Sequence, residues 1–127
     1  MDEIVKDLVP LLQKEGIKYR EHGTRIRVPL PNGFGELEIG DLDKGDTIVG
    51  LVGETWHTHG EILKYEQGGD TEAEAICLFI KGIFEGKYFL IQELEGGKPI
   101  RRTIEDDLNR FHKNLPQGVE VKIYNET

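Results

Sequence analysis

Between Ile17 and Leu63 the chain breaks repeatedly into short strand-like runs, each closed by a turn signal, and this limits the fold more than any other feature. Runs joined by connections this short pair antiparallel, because a parallel partner needs a crossover of a dozen or more residues. Ile17 to Arg20 is the first candidate strand, followed by a turn at Glu21-His22-Gly23. Thr24 to Leu30 then sets Ile26, Val28 and Leu30 against Arg25 and Arg27, the alternation of a half-buried strand. Pro31-Asn32-Gly33 is a turn signal, and Phe34, Leu37 and Ile39 open the next strand, which Gly40-Asp41 ends. The acidic turn from Asp41 to Asp46 leads into Thr47 to Val52, which is apolar on both faces and is therefore placed in the middle of the sheet. The pattern predicts further pairing through Trp56 to about Leu63.

On either side of this meander the hydrophobic period changes from two to 3.6. Ile4, Val5, Leu8, Leu11 and Leu12 share a helical face, with Asp2 and Glu3 at the start and Gly16 past the end. Pro10 implies a kink, or a shorter helix capped by Asp7. A second helix starts at the capping box Thr71-Glu72-Ala73-Glu74 and runs through Ile76, Cys77, Ile80 and Phe84 to Gly86. Lys87 to Leu94 and Pro99 to Ile104 read as a hairpin around Glu95-Gly96-Gly97. A short helix capped by Thr103 is expected next, with Ile104, Leu108, Phe111 and Leu115 as its stripe, before a final strand over Val119, Val121 and Ile123. The fold class that follows is α+β: a mainly antiparallel sheet of five to seven strands with an N-terminal helix and a central helix packed on it. No linker or repeat stands out, and Gly68-Gly69 leaves halves too small to fold alone, so residues 1–127 are read as a single α+β domain.

The formal charge of −8 disfavours nucleic acid and anionic membrane surfaces as partners and favours a basic protein or cationic ligand. Cys77 is the only cysteine, which excludes an internal disulfide and a thiolate zinc cluster. The first residues lack the basic-then-apolar order of a secretory signal, and the longest apolar run is far too short to span a bilayer, so the cytoplasm is the expected compartment.

Trp56-His57-Thr58-His59-Gly60-Glu61 carries the most chemistry. In an extended strand His57, His59 and Glu61 project from one face. Two imidazoles and a carboxylate could hold zinc or another first-row metal, or Glu61 could act as a base on metal-bound water. The pattern resembles the His-x-His element of cupins, but the glycine before His57 is one position out of place and no glutamate follows His59 at the needed spacing. The competing reading leaves both histidines on a solvent face, with Trp56 packing inward.

His22 and His112 read as a solvated turn residue and a helix-end cation. Asp41, Asp43 and Asp46 lack the glycine and closing glutamate of a calcium loop. Cys77 falls on an apolar helix face, and Gly33-x-Gly35 does not open a helix, so neither is assigned a role in catalysis or nucleotide binding.

The element order resembles that of bacterial secretion-chaperone-like domains and small toxin-immunity proteins; the likeness is one of order, and no motif carries it. The leading expectation is a non-catalytic, cytoplasmic protein-binding module, immunity-like or chaperone-like, with a basic protein as partner and no cofactor. The alternative is a metal-binding protein or metal-dependent hydrolase using His57, His59 and Glu61. A third option is a small-molecule pocket between sheet and helix near Trp56 and Phe84.

Overall fold

A computed structural model describes residues 1–124. The meander from 17 onward forms a five-stranded antiparallel sheet in chain order, β1 (Arg20–His22), β2 (Arg25–Pro29), β3 (Glu36–Asp41), β4 (Thr47–Leu51) and β5 (His57–Thr58). Its inner face is built by the residues whose alternation marked them: Ile26, Val28, Leu37, Ile39, Val49 and Leu51 are all buried. Helix α1 (Glu3–Lys14) lays Ile4, Val5, Leu8 and Leu12 against this face. It runs unbroken through Pro10, which sits on its exposed side.

The start of α1 explains the acidic turn. Asp41 accepts the backbone N–H groups of Glu3 (2.9 Å) and Ile4 (3.2 Å), while the Asp2 carboxylate accepts the Asp41 N–H at 2.8 Å. A helix end leaves its first N–H groups without intrahelical partners. Here the end of β3 supplies the acceptor, so Asp41 is a remote cap rather than a calcium ligand.

Helix α2 (Gly60–Gln67) lies where the sequence predicts strand. Its first N–H, from Gly60, is accepted by the Thr47 hydroxyl at 2.9 Å, and that hydroxyl donates to Glu72 at 3.0 Å. A Cβ on Gly60 would lie 2.3 Å from the Thr47 oxygen, so only glycine allows this junction. Helix α3 (Glu72–Phe84) follows, its Thr71 cap accepting the Glu74 N–H at 3.1 Å as the capping box requires. It packs between α1 and α2 and is buried on more than one side, through Ala75, Ile76, Phe79, Ile80 and Ile83. Phe84, expected on that buried face, is 46% exposed.

The C-terminal hairpin does not extend the first sheet. β6 (Phe89–Glu95) pairs with β7 (Lys98–Glu105) on one edge and with β8 (Val119–Ile123) on the other, giving a second antiparallel sheet of order β7-β6-β8. Strand pairing carries β7 through Thr103 to Glu105, so Thr103 caps nothing; helix α4 (Leu108–Lys113) is capped instead by Asp107, which accepts the Arg110 N–H at 3.1 Å. Leu90 and Ile104 join the main core, and Tyr124 packs edge-on against Phe34 at 5.1 Å. Arg102 ties the sheets together: its guanidinium donates to the Phe34 carbonyl and, at 3.4 Å, to Glu54, whose other oxygen accepts the Arg102 backbone N–H at 3.0 Å. Among the described residues no helix is long and apolar enough to cross a membrane.

Candidate functional site

The turn after β4 delivers Trp56 and His57 to the boundary between the two sheets, and two depressions meet along this segment. On one side is the open face of the five-stranded sheet. The register aligns Arg20, Arg27, Glu38, Gly50 and His57 in one cross-strand row, with Arg25 beside it. Gly50 contributes no side chain, and a groove of about 310 Å³ forms between Arg25, Arg27, Glu38 and Trp56. Its charges are already matched. Glu38 accepts from Arg25 (3.1 Å) and Arg27 (3.0 Å), Arg20 binds Glu36 at 2.8 Å, and Arg25 lies 3.9 Å from Asp2. Burial works to raise the Glu38 carboxyl, but the two arginines outweigh it and hold its pKa below the ordinary value. This latticework organises the sheet face and leaves little unsatisfied charge to attract an anion.

On the other side a cleft of about 220 Å³ separates β5 and α2 from the end of β7 and α4. Trp56, Phe79 and Tyr88 line it: Trp56 stacks on Phe79 with ring centres 6.1 Å apart, and Phe79 meets Tyr88 edge-on at 4.8 Å. Gln67 donates to the Tyr88 hydroxyl at 2.5 Å and fixes that ring. Glu66, Glu105 and Asp106 supply carboxylates, and Arg110 the opposing charge. Arg110 is bound to Asp106 at 2.9 Å. The Glu105 carboxylate makes no hydrogen bond or ion pair among the described residues, although its backbone is paired with Phe89 of β6. Burial raises its pKa, with Asp106 and Glu93 adding to the rise and Arg110 opposing it.

The histidines are separated from Glu61 by the change of secondary structure. His57 is in β5, His59 is the N-cap residue of α2, and Glu61 lies in the first turn of that helix, so the single-face strand expected for the three does not form. The two imidazoles stay together, 5.1 Å apart and nearly perpendicular. Each Nδ1 faces a carbonyl, His57 that of Thr55 at 2.9 Å and His59 that of Thr47 at 2.8 Å. A carbonyl only accepts, so Nδ1 is the donor and Nε2 carries the lone pair, the tautomer that metal-binding histidines use. Among the described residues, however, no group of three His, Cys, Asp or Glu side chains could hold a metal ion.

Groups suited to nucleophilic catalysis are equally sparse. The chain contains no serine. Cys77 is buried, and burial pushes its thiol pKa up, away from a reactive thiolate. His22 is exposed in β1 and His112 lies in the last turn of α4. The pocket expected near both Trp56 and Phe84 resolves into separate places: Trp56 borders the two depressions above, while Phe84 borders a groove with Ile17, Pro29 and Leu30.

The acidic half of the cleft escaped sequence reasoning because Glu66, Glu105 and Asp106 share no motif or spacing. The one available signal was Glu61 to Gly68, which has an acid in the first turn and glycine just past the last, the marks of the helix that carries Glu66. No family model matches this chain, and no curated protein or solved structure matches it either.

Proposed function

We propose that the protein is a non-catalytic binding module that recognises a basic protein through the cleft beside Trp56. The observation that carries this reading is the company of Trp56 and Tyr88 with Glu66 and Glu105, which form no salt bridge among the described residues, in a chain of formal charge −8. Partly exposed aromatic side chains next to unpaired charge are what a protein interface uses for anchoring and for steering its partner. The same charge repels polyanions. A lone free cysteine suits a reducing compartment, and we place the module in the cytoplasm, in a role of the immunity-like or chaperone-like kind. We further take the chain to be one domain, since a single cluster of buried side chains joins α1, the first sheet, α2, α3, Leu90 and Ile104.

The test is quantitative capture from the source cell's extract with the wild-type chain and with Trp56→Ala. The proposal expects a stoichiometric partner of high isoelectric point, retained by the wild type and lost by a variant that still unfolds cooperatively. Capture of nothing, or equal capture by both, would refute it. A second reading keeps His57 and His59 as part of a metal site, because both Nδ1 atoms are held by carbonyls, which leaves each Nε2 with its lone pair. It requires further ligands from outside the pair, and is judged by a zinc-dependent rise in melting temperature that His57→Ala removes.

A further inference from the structure

We propose that the cleft between β5–α2 and β7–α4 is a binding site for an alkylammonium cation, walled by Trp56 and Tyr88 and counter-charged by Glu66 and Glu105. The volume sets the scale: about 220 Å³ is below the roughly 300–1,000 Å³ typical of drug-sized and cofactor pockets, and suits the end of a side chain. The walls set the chemistry, because aromatic faces attract cations through their quadrupoles. The charges set the sign. Of the three carboxylates at the cleft, Asp106 is bound to Arg110, which leaves Glu66 and Glu105 without a salt bridge among the described residues. His57, Thr58 and Arg110 complete the polar lining, and the Arg110 guanidinium is taken up by Asp106 at 2.9 Å.

Glu105 is the most telling of these groups. It is half-buried, beside the fully packed Ile104, with no donor among the described residues to replace the water it has lost. A desolvated carboxylate without a partner is destabilising unless it is protonated or met by a cation. An anion would be repelled, and a neutral ring would leave the carboxylate as it was. A compact ammonium fits better than a guanidinium, since it can face carboxylates contributed by opposite walls, whereas the planar fork of arginine seeks one carboxylate in its own plane. The inference deepens the binding-module reading: a lysine side chain of the basic partner is one source of the ammonium, and a free polyamine is the other.

Trp56 is the only tryptophan, so its emission reports directly on the cleft. The experiment titrates the full chain with penta-lysine, spermidine and penta-arginine. It is repeated with Glu105→Gln and with Glu85→Gln, which removes the same charge from an exposed position at the end of α3. Saturable change of Trp56 emission with an amine, weakened about five-fold or more by Glu105→Gln and little by Glu85→Gln, is the expected result. A response to penta-lysine alone assigns the ammonium to a protein partner, and a response to spermidine alone to a free polyamine. No saturable response to either amine, an equal loss in both variants, or a stronger response to penta-arginine overturns the proposal. Thermal melting of each variant guards against misfolding. If partner capture succeeds while the amines give no response, the module stands and the ammonium site falls. Amine binding without any captured protein leaves the site and removes the protein partner.

Discussion

Arg102→Ala should cost about 2 kcal/mol, because one side chain holds the two sheets in register. Its guanidinium donates to the carbonyl of the buried Phe34, approaches the Phe34 ring centre at 5.9 Å and reaches Glu54 at 3.4 Å. A charged donor to a buried carbonyl is worth about 1.5–3 kcal/mol. The cation–π contact adds about 0.5–1 kcal/mol. The Glu54 pair adds less than about 1 kcal/mol, since the arginine side chain remains 31% exposed and solvent screens it. Against these stand roughly 1–2 kcal/mol of side-chain entropy that alanine does not lose on folding. Denaturant unfolding read by Trp56 emission and by circular dichroism measures the difference, and at this chain length the melting temperature should fall by about 6–10 °C. A double-mutant cycle with Glu54→Gln should return a coupling of about 0.5–1 kcal/mol. Arg102→Lys should rescue little, because an ammonium cannot serve the carbonyl and the carboxylate in the same fork. A loss below about 0.5 kcal/mol, or strict additivity with Glu54→Gln, would mean that Arg102 does not tie the two sheets together. Glu54 lies two residues before Trp56, so the alanine variant should also leave the indole more open to acrylamide quenching.

Three other outcomes follow from particular groups. Thr103→Val should be neutral or stabilising by up to about 1 kcal/mol in chemical denaturation, because the buried Thr103 hydroxyl has no hydrogen-bond partner among the described residues. The pH dependence has a definite sign: Asp2 (through the Asp41 N–H), Glu36 (through Arg20) and Glu38 (through its arginines, against burial) have pKa values below their ordinary ones. Their contribution is present above the unfolded-state value and is lost as pH falls through the folded one, so stability should decline from about pH 4.5 downward, and Glu38→Gln should flatten that slope. The raised Glu105 works the other way, its penalty growing as pH rises through the carboxylate range, so Glu105→Gln should stabilise the protein at neutral pH without reducing the acid slope. Finally, zinc in modest excess should leave the melting temperature unchanged, since His57 and His59 have no third ligand among the described residues; a clear rise lost in His57→Ala would favour the metal reading.

The elements legible in the sequence are those whose burial follows from local period. Ile26, Val28, Leu37 and Ile39 alternate, and they form the inner face of β2 and β3; Thr71 and Glu74 announce α3, and the helix begins there. What stayed hidden depends on remote partners. His57-Thr58-His59 suits an extended strand, yet the chain turns into α2 because the Thr47 hydroxyl, twelve or more residues earlier, accepts the Gly60 N–H. Thr103 looks like a helix cap until pairing of Thr103 with Ile91 claims it for β7. Pro10 suggests a break in α1, but its ring lies on the exposed side and Asp41 anchors the helix start from across the sheet. The candidate site shows the same division. Trp56 and His57 were visible as a motif, whereas Glu66, Glu105 and Tyr88 come from α2, β7 and the approach to β6, and only the tertiary fold brings them together.

Binding of a basic partner through the Trp56 cleft is read from the backbone amide shifts of labelled protein on addition of the captured partner. The perturbed signals should gather at Trp56, Glu66, Tyr88 and Glu105, with the indole N–H among the largest shifts. Perturbation centred instead on the exposed Leu78 and Phe84 of α3 and the partly buried Leu11 of α1 would sink this reading and move recognition away from the cleft.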